Sequence, residues 1–414
     1  MNAFDSVIGY DSVKLELLQI IDMIRSPEIY SALGASTPRG VLLHGEPGVG
    51  KTVMAKAFLQ ECGLPNFTVR CNTDSKAFCG SLSKVFREAA DAVPSVILLD
   101  DMDKFSPDED DKEAFHVIQS CIDEVAGVPV YVIATVNDLK LLPDSLSRAG
   151  RFDRYMEMSV PTGADAAAIV AHYMASKPFV GEVNADDVAK MLYGRTCAQL
   201  ETILNEAAIY AGYARLPKIS MQEIVRAHLA DKFVDSAFDK SCPARFERIC
   251  CHEAGHAAML ELLLPGSVGF LYADHRRGFV PRCCDFDSID QEVLSNLAGK
   301  AASELVLGTY DPGCSRDLTK AQLGLSRKLD QLGAYGMAAI GSAKQDSEAL
   351  CAMQNVICSA ELERSLYLAR EILTMNRELL DKLSAALREK GCLLHSEVQA
   401  IRASCTVALP RVAQ

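Results

Sequence analysis

Short apolar runs alternate with stretches of helical spacing through about the first 160 residues, the pattern of a parallel sheet covered by helices on both faces. The apolar runs place strands at 41–44, 67–70, 96–100, 130–134 and 156–160. Between 163 and 233 the β pattern gives way to helical periodicity, as in Leu200, Ile203, Leu204, Ala207 and Ala208, which predicts a small helical lid. Ser241-Cys242-Pro243 marks a boundary. The rest predicts mostly helix, with a long amphipathic helix over 360–390 and a short irregular or β-rich piece over 266–287. There is no internal repeat, and the acidic run 108–113 predicts a solvated helix start. The expected division is a parallel-sheet domain over 1–161, a lid over 162–238 and a mostly helical domain over 239–414.

Composition narrows the class. With 414 residues, 49% hydrophobic and 23% charged, the chain can bury two or three ordinary cores. No run reaches the roughly 18–20 apolar residues of a membrane helix, the richest stretch being 128–136, and Asp5 sits where a signal peptide needs basic then apolar residues. The expectation is a soluble, cytoplasmic protein with no membrane segment of its own. Fifteen cysteines are scattered through apolar segments without a CxxC, which fits reduced buried thiols better than a disulfide framework. A net charge of -13 argues against nucleic acid as the main partner.

Two motifs carry chemistry. Gly45-Glu46-Pro47-Gly48-Val49-Gly50-Lys51-Thr52 follows the first apolar run, and its glycines allow a sharp turn whose backbone N–H groups face a phosphate. Lys51 can reach the β and γ phosphates, Thr52 can ligate Mg²⁺, and the helix starting there points its positive end at the anion. The run 96–100 then delivers Asp100, suited to Mg²⁺, and Asp101, suited to polarising the attacking water. Further on stands His252-Glu253-Ala254-Gly255-His256. Two histidines four residues apart share a helix face and can bind one Zn²⁺, while Glu253 reaches the open position as general base. An ATP loop followed by a zinc-protease helix reads as ATP-driven proteolysis.

With these motifs, and with Phe4-Asp5-Ser6-Val7-Ile8-Gly9 ahead of the loop, the chain resembles the FtsH family of AAA+ zinc metalloproteases over nearly its whole length. The resemblance implies a sensor role for Asn137 in positioning the lytic water, and arginine-finger roles in trans for Arg148 and Arg151, with surface arginines as the competing reading. It implies a pore loop at Phe78-Cys79-Gly80 that grips unfolded polypeptide, against the alternative that Phe78 is a core side chain. It supplies Asp317 as third zinc ligand, with Cys314 as competitor, and Glu304 as a residue orienting a ligating histidine, with a surface salt bridge as the alternative. Asn205-Glu206-Ala207-Ala208 and Tyr335-Gly336-Met337 match family segments of structural character.

Departures from the family bear on function. The family's membrane anchor has no counterpart here, which predicts a free cytosolic ring fed with soluble chains. Asp101 stands where a glutamate is expected, which predicts slow ATP turnover. The stretches after Phe78 and between His256 and Asp317 are short for the family, which puts the pore grip and the cleft rim in question. The expected activity is an ATP-dependent zinc metalloendopeptidase, a homo-oligomer most simply hexameric, acting on unfolded or misfolded proteins with Zn²⁺, ATP and Mg²⁺. An ATP-driven unfoldase or remodelling chaperone with a vestigial or conditionally active protease site and a nucleotide-gated scaffold are the alternatives.

Overall fold

A computed structural model describes residues 2–71, 75–105, 113–148, 150–232, 243–308, 312–330, 332–335 and 348–408. Ser241, Cys242, Gly336 and Met337, and all of the acidic run 108–113 but Glu113, lie outside the described residues. The chain forms two compact units, one of Met1–Phe179 with Gly194–Ile219, the other of Val180–Tyr193 with Ser220–Gln414.

In the first unit α1 (Asp11–Arg25) and α2 (Pro27–Ala32) precede an alternating series: β1 (Gly40–His44), α3 (Lys51–Cys62), β2 (Asn66–Val69), α4 (Ser75–Asp91), β3 (Ser95–Leu99), α5 (Glu113–Glu124), β4 (Val130–Val136) and β5 (Arg154–Glu157). α6 (Gly163–Ala175) and α8 (Cys197–Tyr213) complete it, while α7 (Ala185–Met191), between them in sequence, belongs to the second unit. The strands form one parallel sheet in the order β2-β3-β4-β1-β5. Successive side chains of a strand point to opposite faces, and the two cores follow that period. Leu42, Ile97, Leu99, Val132 and Ala134 join the core that holds Phe86 of α4 and Ile118 of α5. Val41, Leu43, Val96, Leu98 and Ile133 join the core that holds Leu17 of α1 and Phe58 of α3.

Register decides where chemistry can collect. His44 pairs with Val136 and Leu99 with Ala134, so β1, β3 and β4 end at one edge of the sheet. The loop after β1, the carboxylates after β3 and Asn137 after β4 therefore meet at the carboxyl edge, where open α/β sheets bind ligands. β5 starts two residues earlier than its apolar run suggested. It is an edge strand, so Arg154 and Tyr155 stay exposed while their backbones pair with β1.

The second unit is mostly helical, with α7, α9 (Met221–Lys232), α10 (Pro243–Leu263), α11 (Ile289–Leu307), α12 (Ser315–Asp330), α13 (Glu348–Met375), α14 (Arg377–Lys390) and α15 (His395–Ala403). β6 (Phe270–Ala273), β7 (Gly278–Phe279) and β8 (Cys392–Leu394) make a small antiparallel sheet in the order β7-β6-β8. The helix expected over 360–390 breaks at Asn376. Its buried amide donates to Ile372 O at 2.8 Å and Ala408 O at 2.7 Å and accepts from Ala408 N at 2.8 Å, so the side chain takes over backbone bonds between the end of α13 and the start of α14. Among the described residues no helix is long and apolar enough to cross a membrane, and none of the fourteen described cysteines forms a disulfide.

Small residues let α10 and α11 approach closely. A Cβ added at Gly255 would lie 2.4 Å from Ala302 Cβ and 2.6 Å from Ala298 O, so only glycine fits that crossing. Around it Ala254, Ala257, Ala258, Ala298, Ala301 and Ala302 are all fully buried. The contact brings the histidine face of α10 against the backbone of α11.

Candidate functional site

At the carboxyl edge of the parallel sheet, the turn from β1 to α3 runs through Gly45, Gly48 and Gly50 at φ of 146°, 86° and 102°. A Cβ at Gly45 would lie 2.0 Å from Met158 O, so side-chain bulk is excluded as well as disfavoured by φ. Glu46 and Pro47 are exposed, and Val49 anchors the loop in the core. Lys51 is 5% exposed, and its Nζ donates to Gly45 O at 2.7 Å, Glu46 O at 2.9 Å and Asn137 Oδ1 at 2.9 Å. Burial pushes the ammonium pKa down, against the opposing pull of Asp103, Asp101 and Asp100.

Asp100 is buried, which alone would raise its pKa. Hydrogen bonds from Thr52 Oγ1 at 2.7 Å, Thr135 Oγ1 at 2.9 Å and Arg70 Nε at 2.8 Å outweigh that and hold the carboxyl below its ordinary value. Thr52 and Asp100, the two Mg²⁺ candidates, are thus already in contact. Asp101 sits in the left-handed region at φ 56°, its N–H donating to Thr135 Oγ1 at 2.8 Å and its carboxylate paired with Lys104 at 2.7 Å. Asn137 donates from Nδ2 to Asp103 Oδ2 at 2.8 Å, while its Oδ1 takes the Lys51 bond. Asp103 therefore fixes which end of the Asn137 amide faces Lys51, a part the motif reading did not assign.

Arg148 is exposed and makes no ion pair among the described residues. Arg151 is held within its own chain, Nε and Nη2 meeting Asp123 at 3.1 and 2.8 Å and Nη1 meeting Ser145 O at 2.5 Å. The pore-loop expectation needs correction. Phe78 is 2% exposed inside α4, edge-on to Phe105 at 4.7 Å, and Cys79 is buried beside it. A gripping aromatic must reach solvent, whereas burial in the sheet core fixes Phe78 as a packing residue. Gly80 is exposed on the same helix and carries no side chain to grip with.

In the second unit, His252 and His256 occupy one face of α10, with Nε2 atoms 3.0 Å apart. Asp317, in the first turn of α12, brings Oδ2 to 3.2 Å from His252 Nε2 and 3.6 Å from His256 Nε2. The three ligand atoms all lie within 4.8 Å of one another. His256 Nδ1 lies 2.7 Å from Ser295 O, a carbonyl that can only accept, so in the neutral ring the lone pair is at Nε2, facing the cluster. Burial alone would raise the pKa of Asp317, and in the metal-free site a proton on the histidine pair facing it outweighs that and holds the carboxyl far below its ordinary range.

Glycines complete this centre. A Cβ on Gly299 of α11 would lie 2.5 Å from His256 Nε2 and 2.6 Å from His252 Nε2, and one on Gly278 of β7 would lie 2.3 Å from Glu253 Cγ. Bare backbone on two sides thus holds the rings and the carboxylate in place. A convergent His-His-Asp donor set with an inward lone pair and a cradle that a single methyl would fill suits zinc. Cys314, though buried, is not among these ligand atoms. The expected orienting role of Glu304 also needs correction. Its carboxylate is taken by Lys300 and Arg370, and Ser295 O supplies the second contact of His256. Lys300 lies four residues before Glu304 on α11, where an i,i+4 pair competes directly for the carboxylate. The centre opens into a cavity of about 980 Å³.

Residues 41–160 match the family model described as "ATPase family associated with various cellular activities (AAA)", a span covering the parallel sheet. Over 441 residues the chain is 31% identical to "ATP-dependent zinc metalloprotease FtsH 1" of Symbiobacterium thermophilum, covering 95% of this chain and 71% of that protein. It is 30% identical over 429 residues to "ATP-dependent zinc metalloprotease FtsH 3" of Sphaerobacter thermophilus, covering 96% and 87%. To "ATP-dependent zinc metalloprotease FtsH" of Methylococcus capsulatus it is 29% identical over 452 residues, covering 96% and 69%. With an AAA sheet, a helical unit after it and this identity along most of both chains, the protein belongs to the FtsH family.

Proposed function

We propose that the chain is an ATP-dependent zinc metalloendopeptidase that works as a ring, most simply a hexamer, on unfolded polypeptide. The observation carrying this reading is the convergence of His252, His256 and Asp317 beside Glu253 at the wall of a large cavity. Zinc held there supplies Lewis-acid polarisation of the scissile carbonyl and makes water at the centre more acidic. Glu253, kept in place by the close backbone of Gly278, accepts a proton from the attacking water and delivers it to the leaving amine. Asp317 balances charge at the centre, and Ser295 O holds the His256 ring in its ligating tautomer.

In the other unit the loop N–H groups from Gly45 to Gly50 and the Lys51 ammonium receive the phosphates of ATP, while Thr52 and Asp100 hold Mg²⁺. Asp101 polarises the attacking water, and Asn137, aimed by Asp103, positions it. Arg148, exposed and without an ion pair among the described residues, serves as the finger reaching a neighbouring subunit, and Arg151 braces its segment through Asp123. Threading of substrate falls to residues other than Phe78.

The test is release of fluorescent fragments from a labelled unfolded protein, comparing ATP-Mg²⁺ with ADP and wild type with Glu253→Gln. ATP-dependent release should fall at least about 100-fold in Glu253→Gln. Release unchanged in that variant removes Glu253 from the reaction. ATP consumption without fragments from wild type supports an ATP-driven unfoldase. A third outcome, ATP turnover near zero in the wild type, would point to a nucleotide-gated scaffold.

A further inference from the structure

The cavity beside the two histidines opposes the charge of the chain. The whole sequence carries -13, yet among the described residues seven lysine and arginine side chains line this cavity against three carboxylates. Glu253 and Asp317 belong to the centre itself, and Glu292 is paired with Arg327. Two of the cations have acidic neighbours, Arg277 meeting Asp274 at 3.5 Å and Arg282 meeting Asp285 at 3.6 Å. Arg245, Arg248, Arg316 and Lys320 have no carboxylate within ion-pair distance among the described residues.

Their positions follow the helices that carry the candidate ligands. Arg248 precedes His252 by one turn on α10, so the two share a face, and Lys320 follows Asp317 by one turn on α12 in the same way. Both extend into the cavity. Phe279 and Val280 add apolar lining between the basic positions. Uncompensated cations in a cleft with low-dielectric walls raise the local concentration of anionic partners and set which of them dock.

We infer that this cleft selects acidic polypeptide segments, Arg248 and Lys320 receiving Asp or Glu side chains on either side of the residue presented to Glu253. The preference rests on reading the cavity as the peptide cleft, and binding to the metal-free, uncleaving protein separates the two. Two dye-labelled ten-residue peptides, alike except for four glutamates or four lysines, are titrated into the full-length Glu253→Gln chain without added zinc and followed by fluorescence anisotropy.

At low salt the acidic peptide should bind roughly tenfold more tightly, and the difference should shrink below about twofold near 0.5 M salt as screening shortens the reach of the charges. Double reversal by Arg248→Glu with Lys320→Glu should invert the preference, circular dichroism checking the fold. Equal affinity for the two peptides at low salt overturns the inference, as does an unchanged preference in the folded double variant. The salt series on the Glu253→Gln chain needs no charge reversal and decides the matter if the double variant does not fold. Acidic preference without any zinc-dependent cleavage would refute the protease reading alone, whereas equal binding with intact cleavage would refute this one alone.

Discussion

The two candidate sites both depend on glycine, for opposite physical reasons. In the phosphate loop, Gly45, Gly48 and Gly50 hold φ values that other residues adopt only under strain, so the backbone turns its N–H groups inward. In the zinc centre, Gly255 and Gly299 lie inside ordinary helices and Gly278 in an ordinary strand, and what matters is the missing Cβ. The first site is a conformation, encoded within eight consecutive residues. The second is a set of close approaches among segments that are far apart in sequence. A substitution in the first changes local dihedrals, whereas one in the second displaces a neighbour, and which neighbour is displaced decides what is lost.

The largest expected effect is at Gly299. A methyl there meets the two imidazole rings, which can yield only by leaving the positions in which their Nε2 atoms converge. Gly299→Ala should therefore fold, lose more than about 100-fold in zinc affinity and lose peptide cleavage with it, while ATP turnover persists. Zinc content by mass spectrometry and the fragment assay check this, and full zinc occupancy would show that proximity is not what builds the centre. Gly278→Ala sharpens the same point. Its methyl meets Glu253 rather than a histidine, so cleavage should fall about 100-fold while zinc stays bound. If both variants lose zinc alike, the separation of ligand cradle from base cradle is wrong.

How far each site could be read from the sequence follows from the same contrast. The phosphate loop, Asp100, Asp101 and the histidine pair are local patterns, and the parallel sheet that gathers the first three came from apolar runs whose edges moved by at most three residues. Where the reading missed, long-range contacts decided. Phe78 had the right residue type for a pore grip, but an aromatic in α4 facing Phe105 gains more from burial than any loop position allows. Glu304 had the right spacing for a histidine partner, yet Lys300 one turn earlier and Arg370 on α13 claim its carboxylate. Asn376 broke a helix that propensity would have continued, through bonds to Ala408 32 residues away. Gly299 and Gly278 had no signal at all, since the need for a bare backbone appears only once α10, α11 and β7 are packed. Asp103 was the readable omission, standing two residues after Asp101 in an acidic cluster at a strand end.

Asp103 offers a medium effect on the nucleotide side. Asp103→Asn keeps the shape of the side chain but replaces one acceptor oxygen by a donor, so Asn137 loses the partner that fixes its amide. ATP turnover should fall about tenfold with little change in ATP affinity, since one lost hydrogen bond of this kind is worth roughly 1–2 kcal/mol. Steady-state turnover against nucleotide binding by fluorescence separates the two. A parallel loss of ATP affinity would mean that Asp103 serves Lys51, whose ammonium it also attracts, more than Asn137.

The smallest effect concerns why the second carboxylate is the shorter one. Asp101 holds φ 56°, a region in which aspartate is enriched because its short side chain can bond locally, and which suits a longer acid less well. The backbone here thus favours aspartate over glutamate, and Lys104 ties that carboxylate three residues along the chain. The pair is exposed, so it is worth at most about 1 kcal/mol, and Lys104→Ala should raise ATP turnover by only about two- to fivefold as Asp101 becomes available to polarise water. The gain should shrink with added salt, which already loosens the pair in the wild type. A fall in turnover would assign Lys104 a part in holding phosphate, and would move it from a restraint on the nucleotide site to one of its working charges.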